Sequence, residues 1–314
     1  MSTIRTDRLT KSFGDVTAVR NLTLEVAEGE LFGLVGPDGA GKTTTMRLLN
    51  SILEPSSGDA WVVGYHIVKE AEAIKEHIGY MSQRFGLYPD LTVIENLHFY
   101  ADIYDVPRQG RDEKIRRLLS FSNLTPFQKR LARDLSGGMK QKLGLACVLI
   151  HTPKVLFLDE PTNGVDPVSR REFWHILNDL LREKVTIFIS TAYPEEAERC
   201  HRVALLHQGE LLACGSPDEV KRLMRETILE IRTSEARAAK RLLRQHFPPD
   251  SVGLFGDRIH IVTEDPTKTT GQIETFLRQA GLELRSVRQI EPGLEDVFLA
   301  VLGQGNEAGD HDQR

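Results

Sequence analysis

The sequence predicts an α/β fold in which a mostly parallel sheet carries a phosphate-binding loop and a helical insert, followed by a smaller α+β module. Three observations predict it. The apolar run Leu31 to Val35 passes directly into Gly36-Pro37-Asp38-Gly39-Ala40-Gly41-Lys42-Thr43 and then into a helix-like stretch. Buried-strand runs at Val155 to Leu158 and Val185 to Ile189 bracket a helical pattern around Arg170 to Arg182, the alternation expected of a sheet covered on both faces. Past Gly215-Ser216-Pro217 the same alternation restarts at smaller scale.

Taken in order, the first elements read as strands and turns. Leu22, Leu24 and Val26 alternate with Thr23 and Glu25, and Glu28-Gly29-Glu30 turns the chain into the Leu31 strand. After the glycine-rich loop, Thr43 to Leu53 reads as a helix stopped by Pro55-Ser56-Ser57-Gly58. Residues 91–150 read as a helical insert: Val93, Leu97, Tyr100 and Ala101, then Ile115, Leu118 and Leu119, then Leu143, Ala146 and Cys147 recur at helical spacing. In the closing module, Thr227 to Ile231 reads as a strand. It precedes a helix with Ala236, Ala239, Leu243 and Phe247, a strand around Ile259 and Ile261, and a helix with Ile273, Phe276, Leu277 and Ala280. Leu282 to Val287 adds a strand, and Leu294, Val297, Phe298, Val301 and Leu302 form an apolar helical stripe. The spacing predicts domains at 1–220 and 221–303, the second a split βαβ arrangement, with a polar, disordered tail at 304–314.

Length and composition bound the function. At roughly 150 residues per domain, 314 residues suggest two domains. Hydrophobic residues at 40% and charged residues at 27% are ordinary globular values. Forty Lys and Arg against 45 Asp and Glu give a net charge of -5, and neither predicted domain is basic, which argues against nucleic acid as a partner. Cys147, Cys200 and Cys214 match no metal-site spacing and fit a reducing cytoplasm. Apolar runs of about eight residues fall short of the roughly 20 that a spanning helix needs, and no signal peptide is expected behind Arg5, Asp7, Arg8 and Lys11.

The motifs carry phosphate chemistry. Gly36 to Thr43 satisfies G-x-x-x-x-G-K-[ST] between a strand and a helix. Its glycines let successive amides point at phosphate oxygens, Lys42 adds a mobile positive charge, and Thr43 offers a hydroxyl to Mg²⁺. Asp159-Glu160 ends the Val155 strand at the edge where α/β sheets place ligands. Asp159 suits the Mg²⁺ shell, and Glu160 suits activation of water. Leu135-Ser136-Gly137-Gly138-Met139-Lys140-Gln141 precedes an apolar helix, with Ser136 as N-cap and two glycines exposing amides to a second anion.

With these motifs in this order the chain resembles the ATP-binding subunit of an ABC transporter, a P-loop NTPase cassette, over about Ile4 to Lys221. Met139 stands where many members carry Gln. The resemblance implies ATP and Mg²⁺ as cofactors. It implies nucleotide contacts from Phe13, which would stack on adenine, and from Gly36, Pro37, Asp38, Gly39, Ala40, Gly41, Lys42, Thr43 and Thr44. Glu160, Lys42 and Gln83 would serve catalysis, and Thr43, Gln83 and Asp159 would hold the metal. Two cassettes would face head to tail, so that Ser136, Gly137 and Gly138 close on ATP held by the other subunit, with Asn163-Gly164-Val165-Asp166 crossing between them. The partners implied are a second cassette, the same or different, and a membrane permease that holds the protein at the inner face of the cell membrane. Pro292-Gly293-Leu294-Glu295-Asp296-Val297-Phe298 resembles the end of the accessory domain on subunits serving drug-efflux permeases.

One departure stands out. Where the family has Ser-Thr-His, this chain has Ser190-Thr191-Ala192-Tyr193, and Ala192 has no polar atom to offer the γ-phosphate. With Asp38 in place of the usual Asn, it resembles the first cassette of tandem-cassette efflux ATPases. The expectation is an ATPase that powers a permease, exporting drugs or other small molecules. The alternative is a nucleotide-binding partner with little hydrolysis of its own. His201 is expected on a helix and in solvent.

Overall fold

Two strands of twelve residues, β1 (Ser2–Phe13) and β2 (Val16–Ala27), pair antiparallel at the start of the chain. Leu22, Leu24 and Val26 of β2 are buried while Thr23 and Glu25 face out, so the period-2 pattern sets the inner face. The computed structural model describes residues 2–224 and 226–297. There follow β3 (Leu31–Val35), α1 (Lys42–Leu49), β4 (Ser57–Val62), β5 (Tyr65–His66), α2 (Ala71–Lys75) and β6 (Ile78–Met81). The first sheet runs β2-β1-β4-β5. Helix α1 ends four residues before the sequence pattern suggests. The Asn50 amide donates to the Met46 carbonyl at 2.7 Å, and Ser51 turns left-handed at φ 56.

The helical insert holds α3 (Val93–Ile103), α4 (Arg111–Phe121) and α5 (Gly137–Leu149). Val93, Leu97, Ala101, Ile115, Leu119, Leu143, Ala146 and Cys147 form its core, as their spacing predicts. After it come β7 (Val155–Asp159), α6 (Pro167–Arg182), β8 (Thr186–Thr191), α7 (Pro194–Ala197), β9 (Arg202–His207) and β10 (Glu210–Gly215). The second sheet has the order β10-β9-β3-β8-β7-β6. Strand β3 lies parallel between β8 and β9, and β7 parallel between β6 and β8. Every residue of β3, β7 and β8 is buried, which is why these strands read as continuous apolar runs.

By its internal contacts the chain divides into two units: residues to Tyr193 with Cys200–Cys214, and Pro194–Arg199 with the chain from Gly215. The second unit carries α8 (Pro217–Lys221), β11 (Thr227–Thr233), α9 (Ala236–Leu243), β12 (Val252–Phe255), β13 (Arg258–Thr263), α10 (Pro266–Gln279) and β14 (Leu284–Ile290). Its antiparallel sheet runs β12-β13-β11-β14, a split βαβ topology. Leu229, Ile231, Leu243, Ile259, Ile261, Ile273 and Leu277 fill its core. Leu294 and Val297 of the closing stripe are buried; Phe298, Val301, Leu302 and the tail 304–314 lie outside the described residues.

Candidate nucleotide site

Strand β3 delivers the loop Gly36–Gly41, and α1 begins at Lys42. Two glycines are required by the space they leave. A Cβ on Gly36 would stand 2.2 Å from the Leu206 carbonyl oxygen; one on Gly41, at φ +102, would stand 2.2 Å from that of Ala18. The loop therefore lies directly on neighbouring backbone. Lys42 folds over it: its ammonium donates to the carbonyls of Gly36 at 2.8 Å and Pro37 at 3.0 Å, and pairs with Glu160 Oε1 at 3.0 Å. Both side chains of that ion pair are buried.

The two carboxylates at the end of β7 have different surroundings. Asp159 Oδ1 accepts from the Thr43 hydroxyl at 3.2 Å and the Ser190 hydroxyl at 2.7 Å, while the buried Oδ2 has no hydrogen-bond partner. Beside it, the Tyr80 phenol is pushed up to about 12, first by burial and then by the charge of Asp159. Glu160 sits in the left-handed region at φ 49, a conformation that costs a non-glycine residue about 1–3 kcal/mol. Its N–H is held there by Ser190, through the hydroxyl at 3.0 Å and the carbonyl at 3.2 Å. Its Oε2 accepts from Gln83 Nε2 at 3.0 Å and Asn163 Nδ2 at 3.3 Å. A hydroxyl next to a buried carboxylate oxygen that lacks a donor is a set of hard oxygen ligands, which fits Mg²⁺.

Phe13, Ala18, the stretch Asp38 to Thr44, Gln83 and Glu160 line one cavity of about 480 Å³. It thus gathers most of the residues that the sequence singles out, Gly39, Ala40, Gly41, Lys42, Thr43 and Thr44 among them. Phe13 is 51% exposed, so its ring is offered at the mouth rather than packed in a core. Ser136, Gly137 and Gly138 do not line this cavity. Ser136 caps α5, its hydroxyl accepting from the Met139 N–H at 3.3 Å. Gly137 faces open space, whereas a Cβ on Gly138 would meet Ser169 Cβ at 2.3 Å.

Ala192 is exposed just past β8. The hydroxyl of Tyr193 donates to Asn163 Oδ1 at 3.4 Å, which leads it through that amide to Glu160. His201 is exposed as expected but lies on no helix: it stands directly before β9, and its Nδ1 accepts from the Leu31 N–H at 3.0 Å. Ser190 and Asn163 were not predicted to bond the carboxylates. A serine directly after the apolar stretch Ile187–Ile189 is the sequence signal that could have pointed to Ser190.

Residues 19–163 match the ABC transporter family, and residues 215–302 match the C-terminal domain of DrrA1-3-like ATP-binding proteins. The probable multidrug ABC transporter ATP-binding protein YbhF of Escherichia coli K12 is 43% identical over 292 residues, which are 92% of this chain and 50% of YbhF. The chain therefore spans about half the length of that relative. The bacitracin transport ATP-binding protein BcrA of Bacillus licheniformis is 33% identical over 97% of this chain and 99% of its own. Among solved structures, cbiO1 from Clostridium perfringens, part of the ABC transporter complex cbiONQ, superposes with a TM-score of 0.65 at 27% identity, covering 71% of this chain and 93% of that one. On the phosphate loop, the paired carboxylates and these likenesses, the chain belongs to the ATP-binding proteins of ABC transporters.

Proposed function

We propose that this chain binds and hydrolyses ATP to power a membrane permease that exports drugs or other small molecules. The observation that carries this reading is the single cavity where Phe13, the phosphate loop, Gln83 and Glu160 meet. Phe13 offers a ring face to adenine, the loop amides and Lys42 take the phosphates, and Glu160 orients the attacking water. Thr43 and Asp159, with Gln83 beside them, would hold Mg²⁺, which when bound neutralises charge on the phosphates. In this conformation Glu160 is occupied by Lys42, Gln83 and Asn163. Turnover therefore requires Lys42 to leave Glu160 for phosphate.

Ser136, Gly137 and Gly138 lie outside the cavity, which supports a reading in which they close on nucleotide held by a second cassette. No described helix is long and apolar enough to cross a membrane, so attachment at the inner face of the membrane would come through the permease. The export reading rests on relatives named for multidrug and bacitracin transport. The domain at 1–220 would carry the ATPase, and that at 221–303 would be accessory.

The test is thermal unfolding with ATP and Mg²⁺. A ligand at 100 times its dissociation constant stabilises by about 2.7 kcal/mol, and Lys42→Ala should remove that gain. An ATP-induced shift unchanged in Lys42→Ala would place nucleotide elsewhere.

A further inference from the structure

We infer that Tyr193 is a positioning residue that holds the Asn163 amide in place, with its NH₂ group on the Glu160 carboxylate. The inference rests on the proposed ATPase reading of the same site. A primary amide can occupy one site in two orientations, with its oxygen and nitrogen exchanged, and its neighbours decide between them. Asn163 stands between a carboxylate, which can only accept, and a hydroxyl, which here donates to the other end of the amide. Glu160 Oε2, at 3.3 Å, only accepts, so it needs the nitrogen. The Tyr193 hydroxyl, at 3.4 Å, donates to the oxygen. Turned the other way, the amide would present its oxygen to the carboxylate.

Tyr193 is itself held in place. Its N–H donates to the Thr191 hydroxyl at 3.0 Å, and the Arg170 guanidinium lies 5.0 Å from its ring centroid. Arg170 also reaches the Val165 carbonyl at 3.5 Å, in the loop that carries Asn163. Directly before Tyr193, Ala192 offers no side-chain polar atom. Ser190 of β8 holds the backbone N–H of Glu160, whereas Tyr193, just past the strand, links through Asn163 to its carboxylate.

The test is ATP turnover by wild type, Tyr193→Phe, Asn163→Ala and the double variant in the permease complex. Tyr193→Phe removes one oxygen and keeps the ring under Arg170. A hydrogen bond of this kind corresponds to about two- to tenfold, and 3.4 Å places it toward the lower end. The expected result is a kcat lower by about two- to fivefold with the KM for ATP unchanged. The double variant should be no slower than Asn163→Ala, because without the amide the hydroxyl has nothing to hold. Wild-type kcat in Tyr193→Phe, or additive losses in the double variant, would overturn the inference.

Glu160→Gln separates this from failure of the underlying reading. If Glu160→Gln abolishes turnover while Tyr193→Phe does not alter it, only the role of Tyr193 fails; if Glu160→Gln turns over normally, the role of Glu160 fails, and if the wild type shows no turnover, the ATPase reading itself fails. A second measurement needs no turnover. The side-chain NH₂ signal of Asn163, assigned by its loss in Asn163→Ala, should move and exchange faster with water in Tyr193→Phe. An unchanged signal would overturn the inference.

Discussion

Gly137 and Gly138 are adjacent in the sequence and have opposite surroundings, so an alanine at each separates packing from ligand contact. At Gly138 an added Cβ would stand 2.3 Å from Ser169 Cβ and 2.4 Å from its Oγ, at the contact between α5 and α6. Ser169 Cβ is fixed to its backbone, so rotating the hydroxyl away does not relieve the clash and the helices must part. Overpacking of this kind costs about 1–3 kcal/mol, against which alanine recovers less than about 1 kcal/mol of helix propensity. At Gly137 nothing lies within 4 Å. With about 2–4 °C per kcal/mol for a domain of this size, Gly138→Ala should lower the melting temperature by roughly 2–8 °C. Gly137→Ala should leave it within about 2 °C, and have an effect only where a second cassette meets ATP. Circular dichroism melts without nucleotide measure this. Gly138→Ala melting at or above wild type, or an equal fall in Gly137→Ala, would refute the packing argument.

Phe13→Ala should weaken ATP binding, since stacking of a base on an aromatic ring is worth about 1–3 kcal/mol, or roughly five- to 150-fold in Kd by calorimetry. The melting temperature should stay nearly unchanged, because the ring is 51% exposed. Asp166 caps α6, and the N–H of Ser169, with further help from that residue's side chain and from Val168, holds its carboxyl below the ordinary 3.8. Its contribution to stability is therefore complete above about pH 3.8 and lost as pH falls through the lowered value. Asp166→Asn keeps a capping oxygen, so urea midpoints from pH 5 to 3 should fall less steeply than in wild type; parallel curves would contradict this.

The phosphate loop was legible because its meaning is local: eight consecutive residues, a buried strand before them and a helix after. Asp159 and Glu160 were legible for the same reason, as carboxylates ending a continuous apolar strand. Position in the sequence did not reveal that Ser190, 30 residues on, holds the backbone of Glu160 in a left-handed turn. That contact exists only because β7 and β8 are neighbours, pairing Asp159 with Ser190. Tyr193 and Asn163 meet across two loops, where no periodicity guides a reader. Strand β12 was missed because four residues following Pro248-Pro249 and containing Gly253 are too short for alternation to register. His201 misled only in part: it is exposed, as a histidine among charged residues suggests, yet it lies on no helix, and both its ring and its N–H bond to Leu31.

Glu160 is assigned to the attacking water rather than to nucleotide binding, and everything proposed for turnover depends on that role. Measuring ATP binding and ATP turnover side by side for wild type and Glu160→Gln, in the permease complex, tests it directly. Glutamine keeps the shape and cannot take a proton, so the expected result is ATP affinity within about threefold of wild type and turnover lower by about 10²- to 10⁴-fold. Turnover preserved in Glu160→Gln, or ATP binding lost along with it, would contradict the assignment.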